Sequence, residues 1–161
     1  MPTKQQILDI EFNKLRVDLI KAYDAKGMRA SGKSADSLDV IATNDSVKLM
    51  GDGVWEQLEK GRGKSGSGSK PGKLIDDIKQ WIKDKGIVSN IKNDNDNSTL
   101  AFLITRKIHK QGWDRRGHGG VNVVSKVVTD ARMQKIINAV GAEMVLTLVT
   151  RLENEFKQIK V

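Results

Sequence analysis

The segment from Lys4 to Gly27 reads KQQILDIEFNKLRVDLIKAYDAKG and sets the first element of the fold. Its large apolar residues are spaced three or four positions apart: Leu8, Phe12, Leu15, Leu19 and Tyr23. Because an α-helix turns once in about 3.6 residues, this spacing lines them up along one face. We therefore predict a long amphipathic helix over residues 4–26 that ends at Gly27.

Short segments with β-type patterning come next along the chain. Residues 38–43 and 46–50 contain alternating and β-branched positions, which are typical of strands. Asn44-Asp45 lies between them and suits a hairpin turn. We predict a small antiparallel hairpin here. For residues 54–59 two interpretations stay open, a third short strand or a helical turn.

Two further amphipathic helices are predicted in the middle of the chain, over residues 73–85 and about 98–110. The first is expected to turn these side chains inward: Leu74, Ile78, Trp81 and Ile82. The second is expected to bury another apolar set: Leu100, Leu103, Ile104 and Ile108. Ser98 or Thr99 is placed to cap its first turn.

The last third of the chain mixes two kinds of pattern. Residues 121–124 and 126–128 are mostly valine and are predicted as strand, residues 131–140 are ambiguous, and residues 141–160 form a closing helix with one apolar side. The predicted fold class is therefore α+β. It has a small antiparallel sheet packed with a long N-terminal helix, two middle helices and a C-terminal helix, in one domain over residues 1–161.

Composition limits the function classes. The chain has 161 residues and no cysteine, which excludes disulfides and thiolate metal sites. Its first residues do not resemble a signal peptide, and no apolar run reaches membrane-spanning length, so we expect a protein of a reducing cytoplasm unless it is packaged into a particle. Net charge is +8, and residues 61–72 are rich in Gly, Ser and Lys, which predicts a flexible loop.

One motif suggests nucleotide binding. Residues 27–34 read GMRASGKS and fit the P-loop pattern, in which Lys33 and Ser34 would serve phosphates and magnesium. A P-loop follows a buried strand, however, whereas here a charged amphipathic helix is predicted to precede it. We therefore interpret residues 31–37 as a short helical turn that leads into the first strand.

Neither a metal site nor a cofactor site is expected. His109 and His118 are the only histidines, and their separation of nine residues fits no zinc motif. Residues 94–97 read DNDN and resemble the start of a calcium loop, but the glycine and the late glutamate of that loop are missing. The sequence indicates a hydrophilic loop that leads into a helix cap.

Nucleic-acid binding stays open as an alternative. Basic residues outnumber acidic ones in residues 60–92 and 106–116, so these two zones could contact phosphates. Trp81 and Trp113 could stack on bases, although Trp81 falls on the apolar face of its predicted helix. Solvated lysines on helices and loops explain the same charge pattern.

The order of four segments resembles a known family. Residues 30–38 read ASGKSADSL, residues 54–63 read VWEQLEKGRG, residues 74–87 read LIDDIKQWIKDKGI, and residues 100–113 read LAFLITRKIHKQGW. In this order they are similar to the neck, or head–tail joining, proteins of tailed bacteriophages, also called tail-completion proteins. The family often has proline-containing segments near its glycine–arginine turn, whereas this chain has a Gly/Ser/Lys loop with a single proline, Pro71.

The resemblance implies a structural virion protein with no catalytic activity and no cofactor. Such a protein forms a ring at the head–tail junction, connects the portal or adaptor to the tail, and contacts DNA in the lumen without sequence preference. It lies in the virion, and in the host cytoplasm before assembly, with no membrane partner. A tail terminator protein is the alternative within this class, and a basic nucleic-acid-binding module is the alternative outside it.

The resemblance also suggests which side chains lie at contacts between subunits. The candidates near one interface are Trp55, Glu56, Glu59 and Arg62. A second pair, Arg115 and Arg116, is expected to face acidic partners or the DNA lumen. For Trp55, packing in the core is an equally open interpretation.

Overall fold

The computed structural model describes residues 2–43, 46–65, 72–113 and 122–159. Along the chain the elements are α1 (Lys4–Ala25), α2 (Lys33–Asp36), β1 (Asp39–Ala42), β2 (Val47–Met50), α3 (Val54–Lys60), α4 (Lys73–Asp84), α5 (Ser98–Gln111), α6 (Val123–Val127) and α7 (Asp130–Ile159). In the described part of the chain the sheet has two antiparallel strands, and helices make up most of the rest. The predicted α+β class is confirmed.

Helix α1 forms as its apolar spacing predicts. Thr3 caps it: its side chain accepts a hydrogen bond from the backbone N–H of Gln6, and the Gln6 side chain accepts one from the Thr3 backbone N–H. The chain then turns at Gly27 with a φ of +61°, a left-handed conformation that glycine adopts without a steric penalty. The helix thus presents one continuous apolar face to the rest of the protein.

Most of the buried side chains form one cluster on that face. Its members come from α1, α2, α3, α6 and the segments between them: Leu19, Tyr23, Met28, Ala35, Leu38, Trp55, Leu58 and Val123. The hairpin lies beside α1, with Val40 opposite Leu49 and Ile41 opposite Lys48. The expected hairpin turn at Asn44-Asp45 falls outside the described residues.

Two segments for which the sequence allows a strand are helical in the structure. Residues 54–59 adopt the helical alternative, as α3. Residues 123–127 form helix α6, so the strand prediction for the valine-rich segment is wrong. Val123 is 2% exposed in the core cluster, and this packing overrides the intrinsic strand preference of valine. The ambiguous residues 131–140 belong to α7, one continuous helix.

Helices α4 and α5 pack against each other, and the buried residues of α5 are small. Ile82 of α4 and Ala101 of α5 have no exposed surface, and Thr105 is 1% exposed. Trp81 and Leu103, both expected to face inward, are 40% and 45% exposed, so that part of the prediction is wrong. Small residues let the two helices approach closely, which leaves neighbouring large side chains at the edge of the contact.

The first part of α7 packs on α1. Ile136 is 3% exposed, and Arg132 donates to Asp18 at 2.7 Å between Nη2 and Oδ2. This ion pair joins residues 114 positions apart in the sequence. The interpretation of residues 1–161 as one domain stays a prediction.

Candidate functional site

Trp55 lies in the core. It is 7% exposed, its ring centroid is 5.1 Å from that of Tyr23, and its indole Nε1 donates to the carbonyl oxygen of Ser34 at 2.8 Å. A Cβ at Gly51 would lie 2.7 Å from Trp55 Cδ1, so the glycine makes room for the indole. Of the two interpretations given above, the structure supports core packing, since Trp55 has little surface to offer to a partner.

Glu59 connects two elements of the same chain. Its carboxylate accepts hydrogen bonds from the backbone N–H groups of Val124 at 3.0 Å and Ser125 at 3.3 Å, and from the Ser125 hydroxyl. These N–H groups belong to the first turn of α6, which lacks a capping side chain at Asn122. A carboxylate there satisfies unpaired donors and interacts favourably with the helix dipole. Glu59 therefore caps α6 from a distance.

Glu56 is the most accessible of the four candidates near the proposed interface. Its side chain is 70% exposed and accepts from Lys60 Nζ at 3.0 Å, one helical turn along α3. An exposed pair of this kind contributes little to stability. Glu56 therefore remains available for contacts with another molecule.

Arg62 joins the end of α3 to the end of α5. Its backbone pairs with Trp113: Arg62 N donates to Trp113 O at 2.7 Å, and Trp113 N donates to Arg62 O at 2.6 Å. Gly112 has a φ of +77°, and a Cβ there would lie 2.9 Å from backbone atoms of Gly63 and Lys64. The start of the 61–72 loop is thus held against α5, whereas residues 66–71 fall outside the described residues.

The four candidates on and after α3 do not form one exposed cluster, because two of them serve the fold. Arg115 and Arg116, the second pair of candidates, lie outside the described residues. Their proposed role in facing acidic partners or DNA stays a prediction.

The P-loop look-alike has a structural role. Gly32, with a φ of +91°, precedes the four-residue helix α2, and α1 rather than a strand leads into it. Ser34 Oγ donates to Asp52 Oδ2 at 3.1 Å, so the hydroxyl that would hold magnesium is hydrogen-bonded to a carboxylate of the same chain. The segment connects α1 to β1, as the sequence interpretation expects.

The acidic loop before α5 is a helix cap. Asp94 is 7% exposed, and its carboxylate accepts from the backbone N–H groups of Thr99 at 2.8 Å and Leu100 at 2.9 Å. Burial raises the pKa of Asp94, but hydrogen bonds from Ser89, Thr99 and Leu100 outweigh burial and hold the pKa below its ordinary value. The cap is thus a permanently charged carboxylate at neutral pH.

Among the described residues, no group of three or more His, Asp or Glu side chains is arranged to hold a metal ion. Within the same part of the chain, no helix combines the length and the hydropathy needed to cross a bilayer.

The C-terminal half of α7 is exposed over a long segment, and residue spacing did not reveal this exposure. From Met144 to Glu155 every side chain is exposed, and we call this segment the arm. Its large apolar residues are all at least 43% exposed: Met144, Val145, Leu146, Leu148, Val149 and Leu152. Sequence periodicity predicts an apolar side on this helix. Only the structure reveals that this side is left uncovered in the described part of the chain.

A shallow groove of about 710 Å³ runs along the outer face of α1. Ile10 and Val17 form its apolar floor and are 51% and 46% exposed. Charged side chains border it: Asp9, Lys14, Asp18, Lys21 and Arg132. We call this the α1 groove. The arm and the α1 groove are both exposed apolar surfaces, and they lie on the paired helices α7 and α1.

Comparison of the chain with protein-family models, with curated proteins and with solved structures found no match.

Proposed function

We propose that this protein is a structural assembly protein whose copies associate into a ring. The observation that carries the proposal is the arm, where six large apolar side chains lie on a helix that nothing in the described part of the chain covers. Exposed apolar patches of this kind mark contacts with other protein surfaces. The proposal assigns no catalytic role and no cofactor.

The helical state of the arm supports the same conclusion. The segment contains four β-branched residues, Val145, Thr147, Val149 and Thr150, which have low helix propensity. Isolated helices shorter than about 12–15 residues are marginal in water. The arm is not isolated, because it continues the packed first part of α7, and a partner that covers its apolar face stabilises this helix further.

The place of assembly is proposed from the sequence resemblance. The four segments between residues 30 and 113 have the order found in phage neck and tail-completion proteins. We therefore propose that the ring lies at the head–tail junction of a virion, between the portal or adaptor and the tail. The tail terminator is the alternative within this class, because it also forms a ring.

Light scattering at several protein concentrations, with negative-stain imaging, tests the proposal. We expect mass to rise with concentration in the absence of DNA and to reach rings of uniform size. A monomer at every concentration, both alone and with portal complexes, would contradict it. Offering the assembled protein to portal complexes and to tail tubes separates the two alternatives, since a terminator binds tube ends.

A second candidate function rests on the exposed aromatic residues of the α4–α5 pair. Trp81 and Phe102 are 40% and 48% exposed, and basic side chains on the same two helices are exposed as well: Lys73, Lys79, Lys83, Arg106 and Lys107. Aromatic faces beside basic groups are suited to single-stranded nucleic acid. In that case affinity for DNA falls steeply with salt and drops on Trp81→Ala.

A further inference from the structure

We infer that the arm of one copy docks in the α1 groove of the next copy. The inference concerns the contact between copies and therefore rests on the proposed self-assembly. Its starting point is that the arm and the groove are both apolar, both exposed, and both on the same chain.

The arm does not reach the groove of its own chain. Helix α7 is unbroken from Asp130 to Ile159, and its first part is fixed to α1 through Ile136 and the Arg132–Asp18 ion pair. The arm therefore continues along the same axis, away from this contact. Two surfaces that cannot meet within one molecule can meet only between molecules.

The two surfaces match in length. The arm has 12 residues, from Met144 to Glu155, and a helix of this length spans about 18 Å. The charged and apolar side chains of the groove run from Asp9 to Lys21, about 20 Å along α1. The arm and the groove are therefore of nearly equal length.

The charges on their borders are complementary. Arg151 and Glu155 lie one turn apart beside the apolar stripe of the arm, and both are exposed. Asp18 and Lys21 lie about one turn apart on the border of the groove, in the opposite order of sign. With the arm parallel to α1, Arg151 faces Asp18, a carboxylate that also binds Arg132 and is 43% exposed, and Glu155 faces Lys21, so both contacts join opposite charges.

This orientation also suits the apolar contacts. In the register set by these charges Met144 lies about level with Glu11, so the apolar side chains of the arm cover Val17 and reach the edge of Ile10, while the aliphatic stems of Lys14 and Lys21 extend the apolar floor.

The contact has a consequence for symmetry. Because the arm and the groove are different surfaces, each copy gives one arm and receives another, which makes the interface heterologous. Such an interface generates a closed ring when the rotation between copies closes. Arm-to-arm pairing, in contrast, joins identical surfaces and gives a two-fold dimer.

Mixing two defective variants of the full chain tests the inference. Leu148→Asp damages the arm, and Val17→Asp damages the groove. Both positions are exposed, at 61% and 46%, so both variants should fold. We expect each alone to self-associate about tenfold or more weakly than the natural chain. Mixed in equal amounts, they should form a one-to-one dimer, since one supplies an intact arm and the other an intact groove.

Matched controls separate this effect from a general loss of apolar surface. Ile41→Asp changes a residue of the hairpin that is 47% exposed, and Thr150→Asp adds a charge to the arm away from its apolar stripe. Both should leave association unchanged. Circular dichroism of every variant verifies that the fold is retained.

A cross-link gives an independent reading, because the chain has no cysteine of its own. Val17→Cys and Leu152→Cys, made in separate copies and mixed under oxidising conditions, should form a disulfide-linked dimer of the two variants. Oxidation of either variant alone should give much less product.

The outcomes distinguish this inference from the proposed function. Assembly that survives Val17→Asp, or a mixture that stays monomeric, overturns the arm–groove contact and leaves self-assembly standing. Efficient cross-linking of Leu152→Cys alone overturns it in favour of arm-to-arm pairing. A natural chain that stays monomeric at every concentration, both alone and with portal complexes, overturns both.

Discussion

At the residue scale, Gly112 shows how backbone geometry constrains a position that carries no side chain. Its φ of +77° lies in the left-handed region, and added atoms would press on the carbonyl of Arg62 and the backbone of Gly63 and Lys64. We expect Gly112→Ala to lower the free energy of unfolding by about 2 kcal/mol or more, through strain and steric overlap. Urea denaturation measures this.

A matched glycine provides the control. Gly53 has a φ of −63°, and a Cβ there meets no atom within 4 Å. We expect Gly53→Ala to change the free energy of unfolding by at most about 0.5 kcal/mol, as for an ordinary surface substitution. Equal effects at the two glycines would contradict the contact between the loop after α3 and the end of α5.

The two glutamates of α3 should behave differently. Glu59 caps α6 through two backbone N–H groups, whereas Glu56 forms only an exposed pair with Lys60. Loss of a helix cap typically costs about 1 kcal/mol, so we expect Glu59→Ala to be clearly destabilising and Glu56→Ala to be nearly neutral. Thermal unfolding of the two variants measures the difference. A neutral Glu59→Ala would show that α6 does not depend on this cap.

At the element scale, the start of α5 should respond to acid. The pKa of Asp94 is lowered in the folded state, so its contribution to stability is present above the unfolded pKa of about 3.9 and is lost as pH falls through the folded value. We expect Asp94→Asn to be less stable at neutral pH and to lose less stability on acidification. Acid titration followed by circular dichroism tests this.

Asp24 and Asp96 also have lowered pKa values, so they too contribute to the loss of stability in acid and do so equally in the natural chain and the variant. Arg29 donates to Asp24, and Ser98 donates to Asp96, and these hydrogen bonds hold each pKa below its ordinary value. Asp94→Asn leaves both intact. If the variant and the natural chain lost stability in parallel below about pH 4, Asp94 would make no measurable contribution to the acid dependence of stability.

The elements also show what the sequence could reveal. The apolar spacing of α1 predicts the helix, its buried face and its end at Gly27, because local periodicity is sufficient there. Helix α6 is different: its valines favour a strand, whereas the cap from Glu59 and the burial of Val123 favour the helix. Both contacts come from distant parts of the chain, which local patterns do not show.

The candidate site follows the same division. The pattern of residues 54–63 draws attention to α3, but it does not separate Trp55, which is buried, from Glu56, which is exposed. In α5, periodicity favours large residues such as Leu103, whereas the helix contact uses Ala101 and Thr105. An apolar stripe identifies a face of a helix, but it does not identify what covers that face.

At the scale of the whole molecule, the arm and the core are separable. The core cluster contains no residue of the arm, and Ile136 is the last buried apolar side chain among those of α7 whose burial is described. We expect a chain ending at Glu143 to keep its melting temperature in dilute solution to within about 4 °C and to lose self-association. Circular dichroism and light scattering measure the two properties. A shortened chain that unfolds would show that the arm contributes to the fold of a single copy.

The pairing of α1 with α6 and α7 also matters while the chain is being made. Asp18 and Arg132 are 114 positions apart, and Val123 packs with Leu19 and Tyr23. A ribosome therefore synthesises most of the protein before the apolar stripe of α1 has its final cover. Until then the nascent chain exposes the apolar face of α1 to solvent, so slow translation or early termination favours aggregation. The order of synthesis makes chaperone binding to α1 an advantage for yield in the cell.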